Sequence, residues 1–232
     1  MQKKYIEIDG IPAILWGATS RKLFIAVHGD QSSKEDIIIA MFAKEAVKRG
    51  YQTLSFDLPE HGDYKKIVRR CDPINGVEDL KKIMDYAHKI SDERGLFGCS
   101  IGAYFSMLSY EKEKLIQTLF LSPVSDMKFV IENMMTWFNI SEQQLEQQGE
   151  IITPIKTIYW DYYKYVVEHP VTWDKPTKVL CGEKDTICDV PTLKAFFEKH
   201  AGNVVILENG EHYFHTDTQL DVFRRWLIEN IS

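Results

Sequence analysis

Short β-prone runs alternate with helical patterns along nearly all of the 232-residue chain, and this alternation admits few architectures. The β-prone runs fall at residues 11–16, 23–27, 51–56, 96–98, 119–121, 177–181 and 204–207. Between the second and third, Ser32-Ser33-Lys34-Glu35 reads as a capping box opening a helix that carries Ile37, Ile38, Met41, Phe42 and Val47 on one face and stops at Gly50. A second helix is marked by Ile74, Val77, Leu80, Ile83, Met84, Ala87 and Ile90, which step by three and four. Further helices are expected at 101–110, 192–199 and 218–229. Strands that alternate with helices imply a mostly parallel central sheet with helices on both faces, an α/β fold. The opening of the chain, joined around Asp9-Gly10, reads as an antiparallel hairpin at one sheet edge.

Composition narrows the class of function. A chain of this length with 44% hydrophobic residues sustains one core without metal or disulfide staples. The formal charge is −6, and no basic run exceeds pairs such as Lys65-Lys66 and Arg69-Arg70, which argues against nucleic acid as a partner. No apolar segment follows Lys3-Lys4 and none is long enough for a membrane span, so a cytoplasmic chain is expected, although a secreted chain without its leader reads alike. Cys71, Cys99, Cys181 and Cys188 lack CxxC spacing and read as free thiols; neither a metal nor an organic cofactor is expected. A homodimer stays open.

The interval between the runs at 119–121 and 177–181 is too long for a simple crossover. Residues 125–172 hold eight of the chain's 28 aromatic residues, a second capping-box pattern at Ser141-Glu142-Gln143-Gln144, and a stop at Gly149. The expectation is a helical cap inserted into a core formed by residues 1–124 and 173–232. Its aromatic residues either face a ligand or only pack the insertion.

The chemistry-bearing signal is Gly98-Cys99-Ser100-Ile101-Gly102, a G-x-S-x-G between a β-prone run and a helix. That setting is a nucleophile elbow: the turn strains the serine backbone, and side chains at the flanking positions would collide where helix and strand meet. A serine hydroxyl is a weak nucleophile, so it needs a base within hydrogen-bond reach and an acid to orient that base. Asp185 in Gly182-Glu183-Lys184-Asp185 and His212 in Glu211-His212 each follow a strand, in the chain order Ser, Asp, His that this architecture uses. Asp126, after the run at 119–121, competes for the acid's role but also reads as a helix cap. His215 reads as structural, Asp189 and His61 as turn residues, and the Cys99 thiol is expected to point away from substrate.

With His28-Gly29 after one strand and Asp57-Leu58-Pro59-Glu60-His61-Gly62 after the next, these motifs make the chain resemble an α/β-hydrolase over nearly its whole length. The resemblance implies the α/β-hydrolase fold and a serine hydrolase in which Ser100 attacks an acyl carbonyl, His212 moves the proton and Asp185 holds the imidazole. It also implies an oxyanion hole from the backbone N–H groups of Ile101 and Asp30. An aspartate there is unusual: its carboxylate must point away, be paired or bind a cationic group. His28 is expected to brace the loop.

Trp137, Phe138, Trp160 and Tyr163 are the candidate substrate-binding residues of the cap, suited to a small or medium, mostly apolar acyl substrate. Residues 125–170 carry seven acidic side chains against three lysines, which either disfavours polyanionic substrates or simply forms a solvated face. The leading expectation is a carboxylesterase. A thioesterase, amidase or aminopeptidase of the same fold, or a non-catalytic small-ligand-binding protein, is the alternative.

Overall fold

A computed structural model describes residues 1–199 and 202–232. In chain order the elements are β1 (Lys3–Ile8), β2 (Ile11–Trp16), β3 (Lys22–Val27), α1 (Ile37–Lys48), β4 (Gln52–Phe56), α2 (Pro73–Ile90), β5 (Glu93–Cys99), α3 (Ile101–Tyr110) and β6 (Gln117–Leu121). There follow α4 (Met127–Trp137), α5 (Glu142–Gln148), β7 (Glu150–Ile151), β8 (Ile158–Tyr159), α6 (Trp160–Glu168), β9 (Thr177–Gly182), α7 (Val190–Lys199), β10 (Gly202–Leu207) and α8 (Asp217–Asn230). The chain divides into two compact units, Met1–Ser125 with Thr172–Ser232, and Asp126–Val171.

The first unit is built on an eight-stranded sheet of order β1-β2-β4-β3-β5-β6-β9-β10. β1 and β2 form the expected hairpin, with Asp9 and Gly10 both at positive φ, as a two-residue hairpin turn requires. β2 is also antiparallel to β4, and from β4 to β10 every neighbouring pair is parallel. β3 and β4 are buried on both faces, which is why they read as unbroken apolar runs rather than alternating ones.

Alternate side chains of each strand feed opposite layers. Phe24, Ala26, Phe97, Leu119 and Leu121 pack with Ile39, Phe42 and Ala46 of α1 and with Phe223, Trp226 and Leu227 of α8. Within this layer the Phe42 and Phe97 rings stack at 4.2 Å. On the opposite face α2 and α3 approach so closely that a Cβ on Gly76 would lie 2.7 Å from the Phe105 ring.

Two details differ from the sequence reading. The Ser32–Glu35 capping box does not form: Asp36 caps α1 by accepting from Ile39 N at 2.9 Å and from the Ser32 hydroxyl, while Glu35 accepts from Lys3 and Tyr5 instead. Ile37 and Ile74 are exposed, because the buried stripes of their helices are narrower than apolar periodicity alone suggests.

The second unit is helical with one addition. Asp126 caps α4, the Ser141–Gln144 capping box forms at α5, and Gly149 ends that helix at φ 76°. Instead of continuing as helix, residues 150–159 make a small antiparallel hairpin, β7 with β8. Its turn is closed by the Thr153 hydroxyl, which accepts from Ile155 N and Lys156 N, a local bond that competes with helix. Among the described residues, no helix is long and apolar enough to cross a membrane.

Candidate active site

Ser100 sits between β5 and α3 with φ 51° and ψ −121°, a conformation that costs a non-glycine residue about 1–3 kcal/mol. The surroundings hold it: Ser100 N donates to Leu121 O at 3.0 Å, and its carbonyl accepts from Ala103 N, Tyr104 N and Val124 N. The motif glycines are explained by backbone contact. A Cβ on Gly98 would lie 2.8 Å from Ala103 Cα, and one on Gly102 would lie 2.3 Å from His28 O and 2.7 Å from Val27 O. Because those oxygens are main chain at the end of β3, Gly102→Ala must displace the loop that follows. Urea denaturation is expected to show a loss of about 1–3 kcal/mol, and wild-type stability would contradict this packing.

Asp185 and His212 reach the serine from the ends of β9 and β10. Their loops are pressed together, with Glu183 N donating to Leu207 O, Lys184 N to Gly210 O, and no room for a Cβ on Gly182 against Gly210. Asp185 Oδ1 accepts from Ile187 N and Cys188 N, both at 2.9 Å, and its side chain is fully buried. Oδ2 then faces His212 Nδ1 at 2.7 Å, and His212 Nε2 lies 2.8 Å from Ser100 Oγ. An ionised carboxylate only accepts, so the proton belongs on Nδ1 and the lone pair of Nε2 faces the serine hydroxyl. That arrangement can accept the proton of Ser100 as its oxygen attacks an electrophile.

The competing residues have other partners. Asp126 accepts from Phe129 N as the cap of α4, and Asp189 accepts from Thr192 N at the start of α7. His215 accepts nothing from Ser100; its ring stacks on Tyr213 and lies 3.5 Å from Glu211. His28 is buried and braces its loop, with Nδ1–H donating to Gly29 O and Nε2 accepting from Leu58 N. Burial pushes its pKa down to about 4, so it stays neutral. Cys99 lies along the cavity beside Ser100, and burial raises its thiol pKa.

The Asp30 carboxylate is paired: His61 Nε2 lies 3.1 Å from its Oδ1. His61, read from sequence as a turn residue, therefore reaches the loop that carries Asp30. The N–H of Ile101 stands at the first position of α3, where a helix offers it no acceptor.

The sequence reading missed the ion pair beneath this loop. Lys34 is 3% exposed and its Nζ lies 2.6 Å from Asp57 Oδ2, on a fully buried side chain, and 2.8 Å from Asp63. The hydrogen-bonding partners raise its pKa although burial opposes them.

A cavity of about 420 Å³ opens beside Ser100 and His212. Its walls combine the apolar side chains of Ile38, Ile39, Leu121, Ile187 and Phe214 with polar ones, among them His28, Asp30, Gln31, Ser32, Asp36 and Tyr213. Trp137, Phe138, Trp160 and Tyr163 belong to the second unit. There the Tyr163 hydroxyl donates to Glu132 at 2.9 Å, the Trp160 and Tyr163 rings are 5.9 Å apart, and Trp137 is exposed.

Neither a protein-family model nor a curated protein sequence matches the chain. Solved structures do match in shape. Est1E from Butyrivibrio proteoclasticus, solved with ferulic acid bound, is similar with a TM-score of 0.72 at 20% identity, covering 98% of this chain and 99% of that one. Mouse alpha/beta hydrolase domain-containing protein 10 gives 0.75 at 15% identity over 99% and 98%. The thioesterase domain of the curacin biosynthetic pathway gives 0.63 at 14% over 98% and 99%.

Proposed function

We propose that this chain, which has the α/β-hydrolase fold, is a serine hydrolase that cleaves carboxylic esters through an acyl-enzyme on Ser100. The observation that carries this reading is the hydrogen-bonded line from Asp185 through His212 to Ser100, at 2.7 and 2.8 Å. Ser100 Oγ attacks the acyl carbonyl while His212 Nε2 takes its proton, and Asp185 stabilises the imidazolium that forms. The N–H groups of Ile101 and Asp30 donate to the oxyanion. Collapse returns the proton from His212 to the leaving oxygen; water then repeats the sequence and frees the acid.

The volume of about 420 Å³ and the apolar part of the wall favour a small to medium acyl group, and the Asp30 and Asp36 carboxylates in the same wall disfavour an anionic one. A thioester is the second reading, since one structural neighbour is a thioesterase domain.

The test is steady-state turnover on p-nitrophenyl esters of graded acyl length, on methyl ferulate, and on matched thioesters, with Ser100→Ala as control. Turnover on esters is expected, with kcat/KM passing through a maximum at intermediate chain length and vanishing in Ser100→Ala. Preference for thioesters of the same acyl group would assign the second reading. Absence of turnover on every ester and thioester, or activity that survives Ser100→Ala, would contradict the proposal.

A further inference from the structure

The loop between β3 and α1 is pinned at both ends. At its start His28 Nε2 accepts from Leu58 N, and at its end Asp57 accepts from Lys34 N at 2.8 Å as well as from its ammonium. Between the pins lie Asp30, the proposed oxyanion donor, and Gln31, held at φ 56° where a non-glycine backbone is strained. His61 faces both of them. Its Nδ1–H donates to Pro59 O at 2.7 Å, which leaves Nε2 toward the loop, 3.1 Å from Asp30 Oδ1 and 3.0 Å from Gln31 N.

Those two contacts make opposite demands. With a proton, Nε2 donates to the carboxylate; without one, it accepts from the Gln31 N–H. In either state the ring holds one of the two residues at the oxyanion position, and in the protonated state it also offsets the negative charge of Asp30.

We infer that His61 is a positioning residue for the reaction: it orients the Asp30–Gln31 backbone and neutralises the Asp30 carboxylate next to the developing oxyanion. The inference rests on the acyl-transfer reading above. An uncompensated carboxylate beside an oxyanion opposes the transition state more than the ground state, so its neutralisation acts on kcat.

The ionisation of His61 agrees with the paired state. Burial alone lowers its pKa, but its hydrogen bonds with Asp30, Cys71 and Pro59 outweigh that and push it up to about 10. The other titratable neighbour is His28, whose ring centroid is 5.2 Å away and which is neutral; Asp57 and Asp30 act on His28 in turn. A protonated His61 would form an ion pair with the Asp30 carboxylate, 3.1 Å from its Nε2.

The experiment measures kcat and KM on a p-nitrophenyl ester for wild type, His61→Ala and His61→Ala with Asp30→Asn, each normalised to active sites counted with a fluorophosphonate. His61→Ala is expected to lower kcat per site by roughly ten- to a hundredfold with KM changed little, and adding Asp30→Asn is expected to restore part of that loss. If His61→Ala does not fold, His61→Gln takes its place: it loses the charge but keeps donor and acceptor, and the same direction of loss and recovery is expected. An unchanged kcat per site in the folded His61 variant overturns the inference, as does a double variant no faster than the single one. Activity that survives Ser100→Ala is a different failure, of the acyl-transfer reading itself.

Discussion

Asp185→Asn is expected to lower kcat by roughly four orders of magnitude on any ester that the wild-type protein turns over, with the fold intact. The amide oxygen can still accept from Ile187 N and Cys188 N, so the loop keeps its bonds. Its NH₂ group, however, faces His212 Nδ1, where the carboxylate had accepted a hydrogen bond from Nδ1–H. A donor there drives Nδ1 to accept and moves the imidazole proton to Nε2, which then has no lone pair for the Ser100 hydroxyl. KM changes far less, because this interaction matters only as the proton moves. Kinetics paired with a thermal melt check the effect; a kcat within tenfold of wild type, in folded protein, removes Asp185 from the role of acid.

Lys34→Met is the variant expected to cost most in stability. It leaves the Asp57 carboxylate fully buried with two backbone donors, Lys34 N and Asp63 N, and no counter-charge. Breaking a buried pair from one side costs about 3–5 kcal/mol. In a chain of this size that corresponds to a fall in Tm of very roughly 10 °C. The sign of the pH dependence follows from the raised pKa of Lys34. Its contribution is complete below the ordinary lysine value and is lost only as pH rises through the higher folded-state value, so the deficit of Lys34→Met persists from about pH 6 to about pH 9. Differential scanning calorimetry across that range decides it, and a deficit below about 1 kcal/mol at neutral pH would show that Asp57 needs no ammonium.

The parallel sheet and the line of three site residues were legible in the sequence for a physical reason. Strand ends in such a sheet project toward one side, so residues that directly follow β5, β9 and β10 are brought together by topology however far apart they lie in the chain. The glycines flanking Ser100 were legible because only a residue without Cβ fits against Ala103 and His28. Lys34 was not: a single lysine before an apolar run reads as solvated, and its burial depends on Asp57, which lies in another loop. His61 and Asp30 fail in the same way, since 31 positions separate them and neither has a periodic or motif signature toward the other. The β7–β8 hairpin was hidden by the helical patterns on both sides of it, with only the Thr153 turn to mark the interruption. What sequence conveys poorly here is the polar scaffolding between loops, where each bond is set by tertiary contact rather than by local spacing.

The central claim is that Ser100 is an activated nucleophile, and intact-mass analysis after treatment with a fluorophosphonate tests it most directly. Wild-type protein is expected to gain the mass of one phosphonyl group, and Ser100→Ala none. No adduct on folded wild-type protein, or an adduct that persists in Ser100→Ala, would contradict the account.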